Sequence, residues 1–265
     1  MIDLNACREK FSIATLFKWI KYKFSWRKQH PDYFDPDGLC IFVGPQGSGK
    51  TLSAVNYIYN LMQAYPDCKL VTNVALADYP VVTFDAWCAE YAAKPGEDLF
   101  ELYVYSNRIF PFVDNDDFCR YSNASAGVIF FVDEIQLYLS SLESRNINID
   151  VLTQISQQRK QRKHIVATSQ IFGRMAKPLR EQFSSVMVCK NLLGCVQFNR
   201  LLSRDDLESD DSSGTNLRGR VKKKFLWTHD PRMYKRYDTS SIIEKGKFVS
   251  GEDQLKLIGS ESNAT

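Results

Sequence analysis

The chain has 265 residues, 44% of them hydrophobic and 25% charged, with a net charge of +3. That composition is ordinary for a globular protein with a real core, and the length fits one large α/β domain with appendages or two small domains. The small net charge selects no polyanionic partner by itself, so the placement of charge matters more than its sum.

Residues Met1 to Cys7 carry Asp3 and no basic stretch before an apolar core, so no secretory signal is predicted. No run of about 18 uninterrupted apolar residues occurs, so no transmembrane helix is predicted either. The seven cysteines (7, 40, 68, 88, 119, 189 and 195) form no CxxC pair and no zinc-type spacing. Free thiols in a reducing cytoplasm are the expectation.

Residues 10–29 place Ile13, Leu16, Phe17, Ile20 and Phe24 on one face at helical spacing, with Lys18, Lys21, Ser25 and Lys28 on another. Trp19, Tyr22 and Trp26 add interfacial aromatics. Two readings stand: a helix against an anionic membrane surface or nucleic acid, and a helix docked on its own domain. His30-Pro31 and Asp35-Pro36-Asp37-Gly38 then punctuate the chain as turns.

Leu39–Val43 is an apolar run that reads as a buried strand. It leads into Gly44-Pro45-Gln46-Gly47-Ser48-Gly49-Lys50-Thr51, which opens a helical pattern reaching Tyr65-Pro66-Asp67. This is a phosphate-binding loop in strand–loop–helix context. Its glycines let backbone N–H groups converge, and the helix N-terminus adds its positive dipole end. Lys50 is placed for the β- and γ-phosphates of a nucleoside triphosphate, and the Thr51 hydroxyl for Mg²⁺.

Lys69–Val74 reads as the next strand and Pro80–Phe84 as an extended or edge segment. Residues 85–126 are poorly patterned: a helical Ala86–Ala93 piece, Pro95-Gly96, then short aromatic-rich elements. Gly127–Val132 is a buried strand. It delivers Asp133-Glu134 to a strand's C-terminal end, where ligands sit in open α/β sheets. Asp133 is expected in the Mg²⁺ shell, and Glu134 beside the γ-phosphate as the group that polarises water. A GTPase would show Asp-x-x-Gly here, but position 136 is Gln, and no Asn-Lys-x-Asp element occurs, so ATP is favoured. The interval between Lys50 and Asp133 leaves room for an additional strand between the two motif strands, as in ATPases with a catalytic glutamate.

Asp150 is a candidate cap for a helix through Arg162. Lys163–Ser169 follows as another buried strand, ending in Thr168-Ser169-Gln170. Gln170, with both a donor and an acceptor, is the candidate γ-phosphate sensor; the alternative is a surface amide. Met175–Phe183 reads as a short helix, and Ser185–Lys190 and Gly194–Leu202 as strands. Residues 204–216 form an acidic loop, Leu217–Trp227 a basic strand, and the region from 241 to 265 a polar tail.

These elements resemble the zonular occludens toxin family, which includes filamentous-phage assembly ATPases and is a branch of the FtsK/HerA-type DNA motors. The residues that carry the resemblance are Gly44–Thr51, Thr72-Asn73-Val74, Phe130–Glu134, and Arg159 with His164–Gln170, closing at Tyr237-Asp238-Thr239. His-Ile-Val-Ala-Thr-Ser-Gln is similar to the His-Leu-x-x-Ala-Thr-Gln strand of FtsK-type motors. Filamentous-phage assembly proteins usually carry a transmembrane helix after this domain, and none follows here, which leans the expectation toward cytosolic packaging or transfer of DNA.

The resemblance implies a P-loop ATPase domain at 38–240 after an N-terminal segment at 1–37, with a mainly parallel sheet flanked by helices. It implies a homo-oligomer, hexameric by resemblance, completed by an arginine from a neighbouring subunit. Arg159 and Arg162 fit the family pattern best; Arg145, Arg174 and Arg180 are further candidates. Two basic clusters, Arg159–Lys163 and Arg218–Lys224, are placed for sequence-independent contact with DNA phosphates. Phage capsid or assembly proteins, and a membrane's inner face met through residues 10–29, are further candidate partners. The function so implied is an ATP-driven motor for packaging, translocation or virion assembly. The alternatives are a membrane-associated assembly protein switched by ATP, and a small-molecule or nucleotide kinase.

Overall fold

Apolar runs become the centre of one eight-stranded sheet because each is covered on both faces. The computed structural model describes residues 12–31, 33–36, 38–92, 94–142, 147–203, 208–209 and 217–237. The chain divides into two units, Met1–Tyr33 and Phe34–Thr265. The first holds α1 (Ile13–Gln29), whose N-terminus is capped by Ser12, its side chain accepting from the Thr15 N–H. Arg27 and Lys28 occupy its last turn, where cations suit the helix dipole. Among the described residues, no helix is long and apolar enough to cross a membrane.

In the second unit the strands are β1 (Leu39–Val43), β2 (Lys69–Thr72), β3 (Ile109–Pro111), β4 (Val128–Val132), β5 (Lys163–Ser169), β6 (Phe183–Leu192), β7 (Val196–Ser203), β8 (Glu208–Ser209), β9 (Leu217–Arg218) and β10 (Val221–Thr228). The helices are α2 (Lys50–Ala64), α3 (Phe84–Glu90), α4 (Leu99–Ser106), α5 (Asp117–Arg120), α6 (Ile149–Ser156), α7 (Lys177–Arg180) and α8 (Pro231–Tyr234). The large sheet runs β10-β7-β6-β1-β5-β4-β2-β3. Its six strands from β6 to β3 are parallel, while β7 and β10 extend it antiparallel. β1, β4 and β5 are buried at every position, as strands covered on both faces are.

Alternation along the strands sorts the core into two layers. Cys40 and Phe42 of β1 pack with Val55, Ile58 and Met62 of α2. Leu39, Ile41 and Val43 face the other layer, with Phe130, Tyr103, Val151 and Ile155.

Several expected elements shift. The additional strand between the motif strands is β5, which follows Asp133-Glu134 in sequence; the strands in the Lys50–Asp133 interval, β2 and β3, lie beyond β4 instead. Pro80–Phe84 is no edge strand, because Thr83 caps α3 by accepting from the Ala86 N–H and Phe84 is already helical. Asn148, not Asp150, caps α6, and the helix ends at Ser156, so Arg159 and Arg162 lie in turns. The Met175–Phe183 helix shrinks to α7, and Phe183 opens β6. The basic strand is split: β9 ends at Arg218 and β10 begins at Val221. Arg145, most of 204–216 and everything beyond Tyr237 fall outside the described residues.

Gly127 shows how tightly the end of the sheet where β4 begins is built. It precedes β4 with φ +75°, and a Cβ there would lie 2.2 Å from Phe34 Cδ1 and 2.8 Å from the Arg162 carbonyl oxygen. Phe34 is fully buried and the Arg162 carbonyl accepts from the Val128 N–H, so neither can withdraw freely. Gly127→Ala should therefore destabilise by about 2–6 kcal/mol, the sum of the strain of a backbone at φ 75° and ψ 170°, a region open in practice to glycine alone, and of overpacking. Chemical denaturation checks this, and a loss below about 0.5 kcal/mol, the range of a neutral surface change, would contradict it.

Candidate active site

The phosphate loop joins the C-terminal end of β1 to the N-terminus of α2. Gly49 is the N-cap of α2 with φ +76° and ψ +20°, a left-handed conformation that a Cβ would strain. α2 therefore begins with no side-chain cap, and a helix's first-turn N–H groups have no partner within the helix. Lys50 is 7% exposed at the start of that helix.

Asp133 and Glu134 follow β4 on the same edge of the sheet. The Asp133 peptide is gripped by Asn73, just past β2: Asn73 Nδ2 donates to the Asp133 carbonyl at 2.9 Å, and the Asp133 N–H donates to Asn73 Oδ1 at 2.8 Å. Its carboxylate Oδ1 accepts from Thr51 Oγ1 at 3.1 Å and from the Thr168 hydroxyl at the end of β5. Burial pushes the Asp133 carboxyl above the usual range; the Thr168 hydrogen bond works against this and the neighbouring Glu134 charge adds to it.

Glu134 takes a left-handed backbone, φ 51° and ψ 50°. For a residue with a Cβ this costs about 1–2 kcal/mol. The Glu134 N–H donates to Thr168 Oγ1 at 3.0 Å, which holds the turn. Its Oε1 lies 3.0 Å from Lys50 Nζ and accepts from Gln170 Nε2 at 3.1 Å; Oε2 accepts from Gln136 Nε2. Burial raises the Glu134 carboxyl, but Gln136, Lys50 and Gln170 together outweigh it and hold the group below the ordinary glutamate range. Glu134 is thus ionised at neutral pH, as a group that polarises water must be.

The chemistry of this arrangement is specific. A convergent set of N–H groups and a lysine suits phosphate oxygens. The Thr51 hydroxyl beside an enclosed carboxylate is the oxygen pair a hard dication such as Mg²⁺ takes. A family model for zonular occludens toxin (Zot) matches residues 38–241. The chain belongs to the zonular occludens toxin family.

Among solved structures, this Zot-family chain is similar to the N-terminal domain of zonular occludens toxin from Neisseria meningitidis at 18% identity. That match covers 76% of this chain and 98% of that one, with a TM-score of 0.49. It is also similar to the genome packaging NTPase B204 from Sulfolobus turreted icosahedral virus 2 in complex with AMPPCP, at 10% identity over 58% of this chain and 76% of that one, TM-score 0.42. A structure of B204, the DNA-packaging ATPase from Sulfolobus turreted icosahedral virus, matches at 10% identity over 74% and 98%, TM-score 0.41. No match is found among curated proteins.

Lys50, Thr51, Asp133, Glu134 and Gln170 are brought together. Arg159 and Arg162 are not. They precede β5, and the Arg162 carbonyl accepts from the N–H of Val128 at the start of β4, which puts both at the opposite end of the sheet. Seven residues of β5 span about 20 Å, so neither reaches this chain's own Glu134. Arg174 lies past Gln170 on the site's side, its carbonyl accepting from the Ser141 N–H at 2.8 Å. Lys163 leaves the first basic cluster: it is 6% exposed and donates to the Phe118 carbonyl at 2.7 Å and to Gln154. Lys222, Lys223 and Lys224 stay exposed along β10.

Asn73 and Gln136 join the site beyond the residues expected from the sequence. Asn73 had a signal in the Thr-Asn-Val element, whereas Gln136 served only to exclude Asp-x-x-Gly.

The raised Asp133 carboxyl predicts a pH-dependent gain on neutralising it. A raised folded pKa means that the wild type loses stability as pH climbs from about 3.9, the unfolded value, through the folded one. Asp133→Asn keeps the oxygen that Thr51 and Thr168 donate to and carries no charge. Without nucleotide or divalent cation, its stability relative to wild type should rise between pH 4.5 and 7.5 in urea titrations. A difference that stays flat or falls over that range would contradict the assignment.

Proposed function

We propose that this Zot-family protein is an ATP phosphohydrolase of the FtsK/HerA type, a motor that moves or packages phage or mobile-element DNA or drives virion assembly. The observation that carries this is Glu134, ionised and pinned 3.0 Å from the phosphate-loop lysine Lys50 on the site's edge of the sheet. The position of β5 between the two motif strands adds support.

In this reading the triphosphate competes with Glu134 for Lys50. Once Lys50 turns to the phosphates, Glu134 Oε1 is released to orient water and accept its proton, while Gln136 keeps hold of Oε2. Gln170, already on Oε1, is placed to report whether the γ-phosphate is there. Thr51 and Asp133 would hold Mg²⁺. That ion, when bound, supplies neutralisation of phosphate charge. Arginine supply falls to a second copy of the chain, which the hexamer expected by resemblance would bring.

DNA contact is supported by the sheet's far edge. Register places Lys224 opposite Arg200, and Leu226 opposite Phe198, which in turn faces Lys190. Directly paired residues share a face, so Lys190, Arg200 and Lys224 line one side with Phe198 and Leu226 between them. Such a surface suits phosphates without reading bases.

α1 favours a second reading, an assembly protein switched by ATP at an anionic membrane. It carries Lys18, Lys21, Lys23, Arg27 and Lys28 and no acidic residue, beside Trp19, Tyr22 and Trp26.

Glu134→Gln should cut ATP turnover by about 10²–10⁴-fold while ATP binding survives. For the motor, double-stranded or single-stranded DNA should stimulate the wild type, and Lys190→Glu with Lys224→Glu should abolish that stimulation but not basal turnover. Equal turnover with and without DNA, in a protein that stays monomeric with ATP, would sink the motor. ATP-dependent flotation with anionic liposomes that is lost on deleting 10–29 would then favour the switch. Phosphate transfer to an acceptor other than water would point to a kinase.

A further inference from the structure

β7 turns two polar side chains toward α2, and both are buried: Gln197 completely and Asn199 at 4% exposure. Every hydrogen-bonding atom of the Gln197 amide has a partner. Nε2 donates to the Ser48 carbonyl in the phosphate loop at 2.9 Å and to Asn199 Oδ1 at 2.7 Å. Asn199 Nδ2 continues to Ser53 Oγ in α2 at 3.0 Å. Gln197 Oε1 lies 3.2 Å from His229 Nε2. An amide oxygen only accepts, so His229 Nε2 carries the proton and Nδ1 accepts from the Tyr234 hydroxyl. Desolvation lowers the His229 pKa, which keeps the ring neutral and this one-way pattern intact at neutral pH. The donors therefore run from Tyr234 in α8 through His229 and Gln197 to the phosphate loop.

The contact with the loop is close. A Cβ on Gly49 would lie 2.1 Å from Gln197 Oε1 and 2.9 Å from its Cδ. A planar trans peptide points its C=O and N–H in opposite directions, so whatever pins the Ser48 carbonyl also aims the Gly49 N–H. Rotating the Gln197 amide by half a turn would set Oε1 against two acceptor oxygens and Nε2 against a donor. The Ser48 carbonyl, which only accepts, sets which way the amide faces, and His229 donates to the amide oxygen this leaves; the His229 backbone N–H donates to the Cys195 carbonyl at 2.8 Å, anchoring the ring past the end of β10.

We infer that Gln197 is a positioning residue of the phosphate loop, holding the Ser48 carbonyl out of the cradle so that the Gly49 N–H points in, with His229 as the donor that braces its amide oxygen. This rests on the nucleotide-binding reading above for its effect on ATP, but not for its effect on the loop itself. It also makes β10 and α8, which carry exposed basic residues, mechanically continuous with the loop.

Two variants and two readouts test it. Gln197→Met keeps the length and removes both amide atoms; His229→Phe keeps the ring and removes the donor. In nucleotide-free protein, hydrogen exchange of amides in Gly47–Thr51 should quicken about tenfold in Gln197→Met, with β4 amides unchanged. The ATP KM should rise about tenfold with kcat changed less than about threefold, the split expected when ground-state binding is lost. His229→Phe should shift both in the same direction by about threefold. A purely structural role would lower the melting temperature and leave the KM of the folded protein alone. Exchange and KM within about twofold of wild type in a cooperatively folded variant would overturn the inference. Should Gln197→Met not fold, His229→Phe decides by the same criteria. If the wild type binds no ATP, the nucleotide reading fails, and loop exchange still decides whether Gln197 holds the loop.

Discussion

The Asp133 residue ties together the tips of strands that would otherwise be independent. Its peptide is clamped by Asn73 beyond β2, and its carboxylate accepts from Thr51 at the head of α2 and from Thr168 at the end of β5. One enclosed carboxylate thus fixes where the phosphate loop's helix, the acidic turn and the intervening strand stand relative to one another. Burying an ionisable group is unfavourable unless its lone pairs are used. Thr51 and Thr168 meet that condition at Oδ1, and Thr168 is within reach because β5 lies between β1 and β4. The same Thr168 hydroxyl accepts the Glu134 N–H, so the left-handed turn at Glu134 depends on this junction as well.

Adjacent side chains on this edge of the sheet divide the labour. Asp133 sits in a site that disfavours its charge without a cation, while Glu134 sits in one that favours its charge through Gln136, Lys50 and Gln170. Two neighbouring carboxyls pushed in opposite directions are suited to different tasks, one to meet a metal and one to meet a water. The antiparallel extension β6-β7-β10 adds a second division. Its α2-facing side carries Gln197 and Asn199 into the phosphate loop's support, and its other side carries Lys190, Arg200 and Lys224.

The parts legible in the sequence are those where one physical rule dominates. β1, β4 and β5 read correctly as strands because burial on both faces leaves an unbroken apolar run, and the phosphate loop is local in sequence. Strand order was harder, since sequence order does not say that β5 inserts between earlier strands. Gln136 and Gln197 are illegible as site residues for the same reason, since their partners are set by tertiary neighbours, and for Asn73 the Thr-Asn-Val element marks the position but not the Asp133 peptide it holds. The 84–126 region alternates short helices with the short strand β3, and aromatic residues from different pieces of it, such as Tyr103, Phe110 and Tyr121, pack on one another without a helical period. Lys163 looked like part of a basic surface, but a lysine opening a central strand has carbonyl oxygens within reach and is buried by them.

We propose that Gly44–Thr51 and Asp133-Glu134 form one ATP-hydrolysing site in which Lys50 changes partners. An experimental structure with Mg²⁺ and a non-hydrolysable ATP analogue tests it most directly. The triphosphate should lie in the phosphate loop, with Thr51 and Asp133 at the cation and Lys50 Nζ moved from Glu134 to the phosphate oxygens. A nucleotide bound elsewhere, or a Lys50–Glu134 pair still at its 3.0 Å separation beside a filled loop, would contradict it.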